Sequence, residues 1–221
     1  MIDLSQYHLH DLTHTYDSLV DGYSDSIAKK IDDDGWNARW LSIYSHAGTH
    51  MDAPLHFGVD GCTIDRVPLH LLMGKAHIGR IELQQNNQLL DVSDLGSIAH
   101  RIQPGDSLLL STGWSEKLGS EAFRKHLPRI SENLAHWCVS RKLKILGVEP
   151  PSVADVNNLN ELTNIHRILF KGEVIIVEGL KNLNKIVADE VFLIALPLKI
   201  SDGDGAPARV IALEKNNSSG D

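Results

Sequence analysis

The chain has 221 residues, of which 42% are hydrophobic and 23% are charged, a balance typical of globular proteins that excludes fibrous and intrinsically disordered classes. The formal net charge of −8 argues against a nucleic-acid-binding surface, because no dense Lys/Arg stripe is present. The longest apolar run, 191–198, is far shorter than the roughly 20 residues of a membrane helix, and the first residues show no export signal. Cys62 and Cys138 cannot form a disulfide framework, so we expect a cytoplasmic protein without nucleic-acid or membrane partners.

Apolar patterns along the chain predict strands that alternate with helices. In chain order, strands are predicted at 40–45, 76–83, 106–111, 144–148, 174–177, 191–198 and 208–213, and helices near 95–102, 131–141 and 159–169. Ser93 and Ser131 are predicted to begin the first two helices, and Gly172 is predicted as a left-handed cap of the third. This alternation predicts an α/β fold with a mixed sheet and flanking helices. We expect one compact domain over 1–215 and a polar tail over 216–221.

The segment 45–57, with the sequence S-H-A-G-T-H-M-D-A-P-L-H-F, concentrates potential metal ligands. His46, His50, Asp52 and His56 share even numbering, so an extended chain would project them from one face. The glycine and proline inside the segment disfavour a helix. Solvated loop histidines are the alternative, but packed imidazoles and a carboxylate cost several kcal/mol without compensation, which favours a metal site. Zn²⁺ suits these donors best, with Mn²⁺ or Fe²⁺ as alternatives, and His56 is then left free as an acid or base.

Two residues far along the chain are candidates for further ligands. His166 lies on the predicted third helix, and Glu178 ends the apolar strand 174–177. Taken singly, they could be a core histidine and a solvated strand-end carboxylate. Together with Asp52, whose carboxylate could bridge two ions, they form the hypothesis of a two-metal centre.

The residues 46–57 closely resemble the H-x-G-T-H-x-D-x-P-x-H-F signature of the cyclase family of metal-dependent hydrolases, which includes bacterial kynurenine formamidases and isatin hydrolases. Shorter likenesses follow in the family's order: 11–13 resembles its D-L-[ST] opening strand, 166–180 its H-x(11)-E-x-L segment, and 204–209 its D-G-x-P-x-R turn. The resemblance implies a compact α/β domain of the swivelling β/β/α type, assembled as a homodimer or higher homo-oligomer.

The resemblance also implies the roles of the site residues. It makes His46, His50 and Asp52 ligands of one metal ion and His166 a ligand of a second, with Asp52 and Glu178 shared. His56 matches the catalytic proton donor and acceptor. The implied reaction is hydrolysis of a C–N amide bond by metal-activated water, with two Zn²⁺ ions expected and Mn²⁺ as the alternative.

The substrate is less narrowly indicated. Tyr16, Tyr23, Trp36 and Phe57 fall in the first quarter of the chain and are candidates for stacking on an aromatic substrate, although each could instead pack in the core. The region 15–23 lacks the Pro-x-Trp-Pro-Gly-Asp-like stretch that kynurenine formamidases usually carry. A small aromatic amide is therefore expected, with N-formylkynurenine first and isatin-like lactams second.

A metal-binding scaffold without catalysis is the alternative from another class. Structural zinc sites are usually closed and rich in cysteine, whereas this chain offers carboxylates and a spare histidine. The composition of the cluster therefore favours an open, catalytic site.

Overall fold

The computed structural model describes residues 3–216. Its strands are β1 (Tyr7–Asp11), β2 (Tyr23–Lys29), β3 (Ala38–Ile43), β4 (His50–Asp52), β5 (Met73–Arg80), β6 (Leu89–Leu90), β7 (Ser107–Ser111), β8 (Arg129–Ile130), β9 (Ile145–Val148), β10 (Ile175–Glu178), β11 (Glu190–Pro197) and β12 (Gly205–Lys215). Its α-helices are α1 (Ile31–Asp34), α2 (Ile98–Arg101), α3 (Glu121–Lys125), α4 (Glu132–Ser140) and α5 (Leu159–Lys171). Of the predicted tail, only Asn216 is described, and its backbone N–H donates to Gln6; residues 217–221 lie outside the described residues.

Eight strands form the main sheet in the order β1-β12-β11-β5-β7-β9-β10-β4. The pairs from β5 through β7 and β9 to β10 are parallel, and the remaining pairs are antiparallel. Strand β4 pairs with β12 as well as β10, so the sheet closes into a barrel-like shape. Strand β12 is long enough to pair with β4 at its start and with β1 at its end.

Two apolar cores lie on opposite sides of the parallel strands. On β7, Leu109 packs into the core enclosed by the curved sheet. Its neighbours Leu108 and Leu110 pack into the second core, which α4 and α5 cover. Because successive side chains point to opposite faces, strands between two cores are apolar throughout, which explains the unbroken apolar runs in the sequence.

The α/β fold with a mixed sheet is confirmed, and each predicted strand overlaps an observed one. One helix cap was predicted at the wrong residue, and one was predicted at the right residue with the wrong conformation. Asp91, not Ser93, caps the first turn, in a capping box with Asp94, and the helix breaks at Gly96 before α2. Gly172 ends α5 with φ −90°, so it is not left-handed. It is required because a Cβ there would lie 2.3 Å from a methyl carbon of Val139 on α4.

Within residues 3–216, no helix combines the length and apolar character needed to cross a membrane.

Candidate metal centre

Strand β4 carries two of the predicted ligands into the interior of the protein. His50 lies opposite Glu178 on β10, and Asp52 lies opposite Gly205 on β12. His50 and Asp52 are two residues apart on one strand, so their side chains share a face, and paired residues on adjacent strands also share a face. All three polar side chains are buried. The pairing of β4 with β10 therefore aligns one imidazole and two carboxylates.

The loop before β4 is fixed by hydrogen bonds to neighbouring segments. The Tyr16 hydroxyl donates to the Ala47 carbonyl at 2.7 Å, and the Thr49 hydroxyl donates to the Gly179 carbonyl. Gly179 has φ +66°, and a Cβ there would lie 2.3 Å from the Gly48 carbonyl oxygen, so only glycine fits. These contacts hold the loop against the end of β10, beside Glu178.

Five imidazole-to-carboxylate approaches connect the five predicted ligands, one of them between His50 Nε2 and Asp52 Oδ1 at 3.4 Å. His46 Nδ1 lies 2.7 Å from Asp52 Oδ1, and His50 Nε2 lies 3.3 Å from Glu178 Oε2. His166 Nε2, contributed by α5, lies 3.4 Å from Glu178 Oε1 and 3.7 Å from Asp52 Oδ2. The structure thus brings together residues separated by more than a hundred positions in sequence. Their roles as ligands stay predictions.

In His50 and His166, a hydrogen bond made by Nδ1 leaves Nε2 facing the carboxylates. His50 Nδ1 donates to the Gly48 carbonyl at 3.0 Å, and His166 Nδ1 donates to the Leu162 carbonyl at 2.7 Å. A nitrogen facing a carbonyl carries the proton, so the neutral ring turns its Nε2 lone pair toward the carboxylates. Metal-ligating histidines commonly have such a partner for the other nitrogen. Lone pairs facing carboxylate oxygens require a proton or a cation between them.

The pKa shifts of these side chains also indicate that the cluster needs a proton or a cation. Burial lowers the pKa of His50 and of His166, but the adjacent Glu178 and Asp52 outweigh burial and raise both. Burial opposes ionisation of Glu178, yet its hydrogen bonds with the two imidazoles hold its pKa well below the usual value. The cluster therefore favours bound positive charge, which protons or a metal ion can supply.

One atom at the centre has no hydrogen-bond partner among residues 3–216. Asp52 Oδ2 is buried and accepts no hydrogen bond within the described part of the chain. Candidate ligand atoms of His50, Asp52 and Glu178 all lie within 4.8 Å of one another, as do those of His46, Asp52 and His56. Mixed imidazole and carboxylate donors suit a divalent ion of the zinc type. The residues present therefore fit a metal, and Asp52 belongs to both groups.

His56 lies at the more exposed side of the cluster. It is carried by a 3₁₀ helix over Pro54–Phe57, and its ring stacks on that of His46 with centroids 3.7 Å apart. Burial lowers its pKa and outweighs the opposing effect of Asp52, so the ring is neutral at pH 7. A neutral imidazole that is partly open to solvent can both accept and donate a proton.

Asp204 is a functional candidate that the sequence reasoning missed. Its Oδ2 accepts a hydrogen bond from His46 Nε2 at 2.9 Å and lies 3.6 Å from His56 Nδ1. Burial alone would lower the pKa of His46, but hydrogen bonds with Asp52 and Asp204 raise it to about 9. The aspartate of the D-G-x-P-x-R likeness is the signal in the sequence that could have pointed to it.

The four aromatic candidates for substrate binding fall in different surroundings. The Tyr16 hydroxyl supports the loop before β4. The Tyr23 ring packs edge-on against the Tyr16 ring, with centroids 5.5 Å apart. Phe57 stacks on His166 with centroids 4.2 Å apart. Trp36 is 56% exposed on the connection between β2 and β3. Contact of any of them with a substrate stays a prediction.

A cavity of about 480 Å³ opens beside His46 and Gly48. His14 also lines it, although sequence reasoning did not single this residue out. Burial and then the charge of Lys181 lower the pKa of His14 to about 4. This volume is within the range of small-molecule sites, and its contact with His46 connects it to the metal centre.

A family model described as "Putative cyclase" matches residues 3–155, more than half of the chain. The chain belongs to the cyclase family. Among curated members, this cyclase-family chain is 31% identical over 181 residues to the kynurenine formamidase of Bacillus cereus, covering 79% of each chain. Identity and coverage are the same for the kynurenine formamidase of Bacillus mycoides. The predicted family resemblance is confirmed.

Solved structures give the same result for the fold. Isatin hydrolase A from Ralstonia solanacearum superposes with a TM-score of 0.85 at 24% identity, covering 96% of this chain and 93% of that one. A predicted metal-dependent hydrolase from Bacillus stearothermophilus superposes with a TM-score of 0.74 at 26% identity, covering 95% and 99%. The cyclase-family fold therefore extends over nearly the whole chain.

Proposed function

We propose that the chain is a metal-dependent hydrolase that cleaves the C–N bond of a small aromatic amide, with N-formylkynurenine as the leading substrate. The observation that carries the proposal is the buried convergence of His50 and His166 on Glu178 and Asp52, in which one Asp52 oxygen accepts no hydrogen bond from any described residue. Relatives named kynurenine formamidase support the choice of substrate.

We assign His46, His50 and Asp52 to one ion and His166 to a second, with Asp52 and Glu178 shared between the two. Zn²⁺ is the proposed metal and Mn²⁺ the alternative, because both accept imidazole and carboxylate ligands. Such ions, when bound, supply a water of lowered pKa and polarise a substrate carbonyl.

The proposed proton transfers belong to His56. An amide nitrogen leaves poorly as an anion, so His56 would protonate it as the C–N bond breaks. Its lowered pKa leaves the ring neutral at pH 7, so His56 would first accept a proton from the attacking water and then return it to the leaving nitrogen. Acid catalysis of this type is typically worth about 10²- to 10⁴-fold. Asp204, 3.6 Å from His56 Nδ1, is proposed to orient the ring.

A cyclic amide of the isatin type is the second candidate substrate. The likeness to isatin hydrolase A over 96% of the chain favours it, although at 24% identity that likeness concerns the fold. A metal-binding scaffold without catalysis is disfavoured, because His56 and the adjoining cavity leave the cluster open on one side.

Elemental analysis joined to a hydrolysis assay tests the function. We expect purified protein to hold about two equivalents of divalent metal and to hydrolyse N-formylkynurenine or isatin, followed by ultraviolet absorbance, with activity lost on chelation. His56→Ala is expected to retain metal and to lose about 10²- to 10⁴-fold in turnover. Bound metal without hydrolysis across a broad amide panel would support the scaffold, and full activity after metal removal would exclude a metal-dependent reaction.

We also propose that the chain forms a homodimer through the arm, defined as residues 23–44. Strands β2 and β3 make a two-stranded ribbon separate from the main sheet, and isolated ribbons are marginally stable in water. Its large apolar side chains are 54–73% exposed: Ile27, Ile31, Trp36, Trp40, Leu41 and Tyr44. A concentration of this kind marks a contact surface, and a second copy would bury the same arm symmetrically.

Sedimentation measures the oligomeric state directly. Trp40→Glu is expected to convert a dimer into a monomer, because Trp40 is 73% exposed on the arm. Val187→Glu, at a 79% exposed position outside the arm, is the matched control and should stay dimeric. A monomeric unmodified chain at micromolar concentration would refute the arm as an interface.

Domain extent and location complete the proposal. We propose that residues 1–215 fold as one domain, because a single closed sheet links β1 to β12. We propose a cytoplasmic location because Cys62 and Cys138 are both free thiols, which suits a reducing compartment.

A further inference from the structure

The cavity beside His46 has an apolar wall and a charged rim. Leu19, Val20, Leu118, Phe123 and Val156 contribute apolar surface, and four charged residues also line it: Asp21, Glu121, Arg124 and Lys125. A ligand that reaches from the metal centre into this space would place an apolar body along the wall. Any charged substituent would meet the rim.

Only part of the rim charge is neutralised within the protein. Lys125 Nζ lies 2.5 Å from Glu121 Oε1, so these two charges compensate each other. Across residues 3–216, Arg124 and Asp21 make no ion pair with another side chain, and both line the cavity. One free guanidinium and one free carboxylate thus face the same space.

His14 provides a second sign of a ligand. Its side chain is buried with 7% exposure, it lines the cavity, and its Nε2 has no hydrogen-bond partner among the described residues. A buried polar atom of this kind costs free energy unless it is paired. A ligand atom in the cavity would supply the missing partner.

We propose that Arg124 and Asp21 form a specificity subsite for a zwitterionic arm of the substrate. The carboxylate of the arm binds the Arg124 guanidinium, its ammonium group binds Asp21, and the aromatic body lies on the apolar wall with the scissile amide at the metal centre. The last part of this arrangement rests on the proposed function. The subsite selects an open-chain aryl amide with an amino-acid arm over a compact lactam, which carries neither charge.

Equilibrium binding tests the subsite without requiring hydrolysis. The probes, titrated calorimetrically into zinc-loaded protein, are L-kynurenine with both charges, 3-benzoylpropionate with the carboxylate alone, and butyrophenone with neither. Arg124→Gln is expected to weaken L-kynurenine and 3-benzoylpropionate roughly tenfold, because a charge-assisted hydrogen bond is lost. Asp21→Asn is expected to weaken L-kynurenine alone, by roughly fivefold. Butyrophenone should bind equally to all variants.

Lys125→Gln is the matched control, because this cation lines the same cavity but is paired with Glu121. It should change each Kd by less than roughly twofold, and the loss in Arg124→Gln should shrink at high salt. Equal binding of L-kynurenine and butyrophenone to the unmodified protein would overturn the subsite. An unchanged Kd of L-kynurenine in Arg124→Gln would also overturn the subsite, because the ligand carboxylate would then bind the metal and not Arg124. Failure of hydrolysis with these affinities intact would instead refute the proposed function alone.

Discussion

Metal binding should stabilise the folded chain, and the loss of one buried carboxylate should remove most of that effect. Glu178 is 3% exposed and contacts both His50 and His166, so Glu178→Gln keeps the side-chain shape while removing the charge shared by two imidazoles. The measurement is the thermal midpoint with zinc and after exhaustive chelation. The difference between the two conditions isolates metal binding from any change in the stability of the metal-free protein.

The expected size follows from mass action. Zinc at 100 times its Kd stabilises the folded state by about 2.7 kcal/mol, and a chain of this length gains about 2–4 °C in Tm per kcal/mol. Zinc should therefore raise the midpoint of the unmodified protein by about 5–10 °C. We take a loss of about 100-fold in zinc affinity in Glu178→Gln, the upper end for an outer-shell partner and a lower bound for a direct ligand. Zinc then stabilises the variant by only about 0.4 kcal/mol, which raises its midpoint by about 1 °C.

His136→Ala is the control. This histidine on α4 is 62% exposed, so the substitution removes an imidazole without affecting the cluster. Its zinc-dependent shift should equal that of the unmodified protein. The reasoning is refuted if zinc leaves the unmodified midpoint unchanged. It is also refuted if Glu178→Gln retains the full shift, since the convergence on that carboxylate would then not be a binding site.

Three further substitutions test the surroundings of the centre. Asp204→Asn should weaken zinc binding about 10- to 100-fold in a chelator competition, because His46 loses its outer-shell carboxylate, whereas Asp202→Asn, on an exposed carboxylate, should not. Tyr16→Phe should cost about 1 kcal/mol of unfolding free energy in urea, because the Ala47 carbonyl loses a donor. His14→Gln should flatten the pH dependence of stability between pH 6.5 and 4. The pKa of His14 is about 4 in the folded state, against 6.5 for the free side chain. As the pH is lowered from 6.5 to about 4, the unfolded state binds the proton first, and the free energy of unfolding drops by about 3 kcal/mol.

Each of these outcomes has a clear opposite. Equal zinc affinity in the Asp204 and Asp202 variants would show that the His46 hydrogen bond does not orient the ligand. Unchanged urea unfolding in Tyr16→Phe would mean that water replaces the hydroxyl. A pH profile of His14→Gln that matches the unmodified protein would show that His14 titrates normally.

The segment 46–57 could be interpreted from sequence because its ligands are close together in the chain. Alternation along an extended backbone is enough to align His50 and Asp52, and the observed β4 has that geometry. The α/β class was likewise predictable, because buried parallel strands and amphipathic helices have different apolar periods. The cap at Asp91 and the conformation of Gly172 were mispredicted because they depend on local competition and on the approach of α4 to α5, which single-residue preferences do not encode.

By itself, the sequence determined the donor chemistry, the family and the α/β class with its main buried strands, since these depend on residue types and short spacings. Only the tertiary structure decided that β4 would lie between β10 and β12, and this closure brings Glu178, Asp204 and the α5 imidazole to the same point. It also decided that Tyr16 would support a loop, and that Arg124 and Asp21 would share a cavity. Such contacts arise from strand pairing and packing between distant segments, and no local pattern specifies which distant side chains will meet.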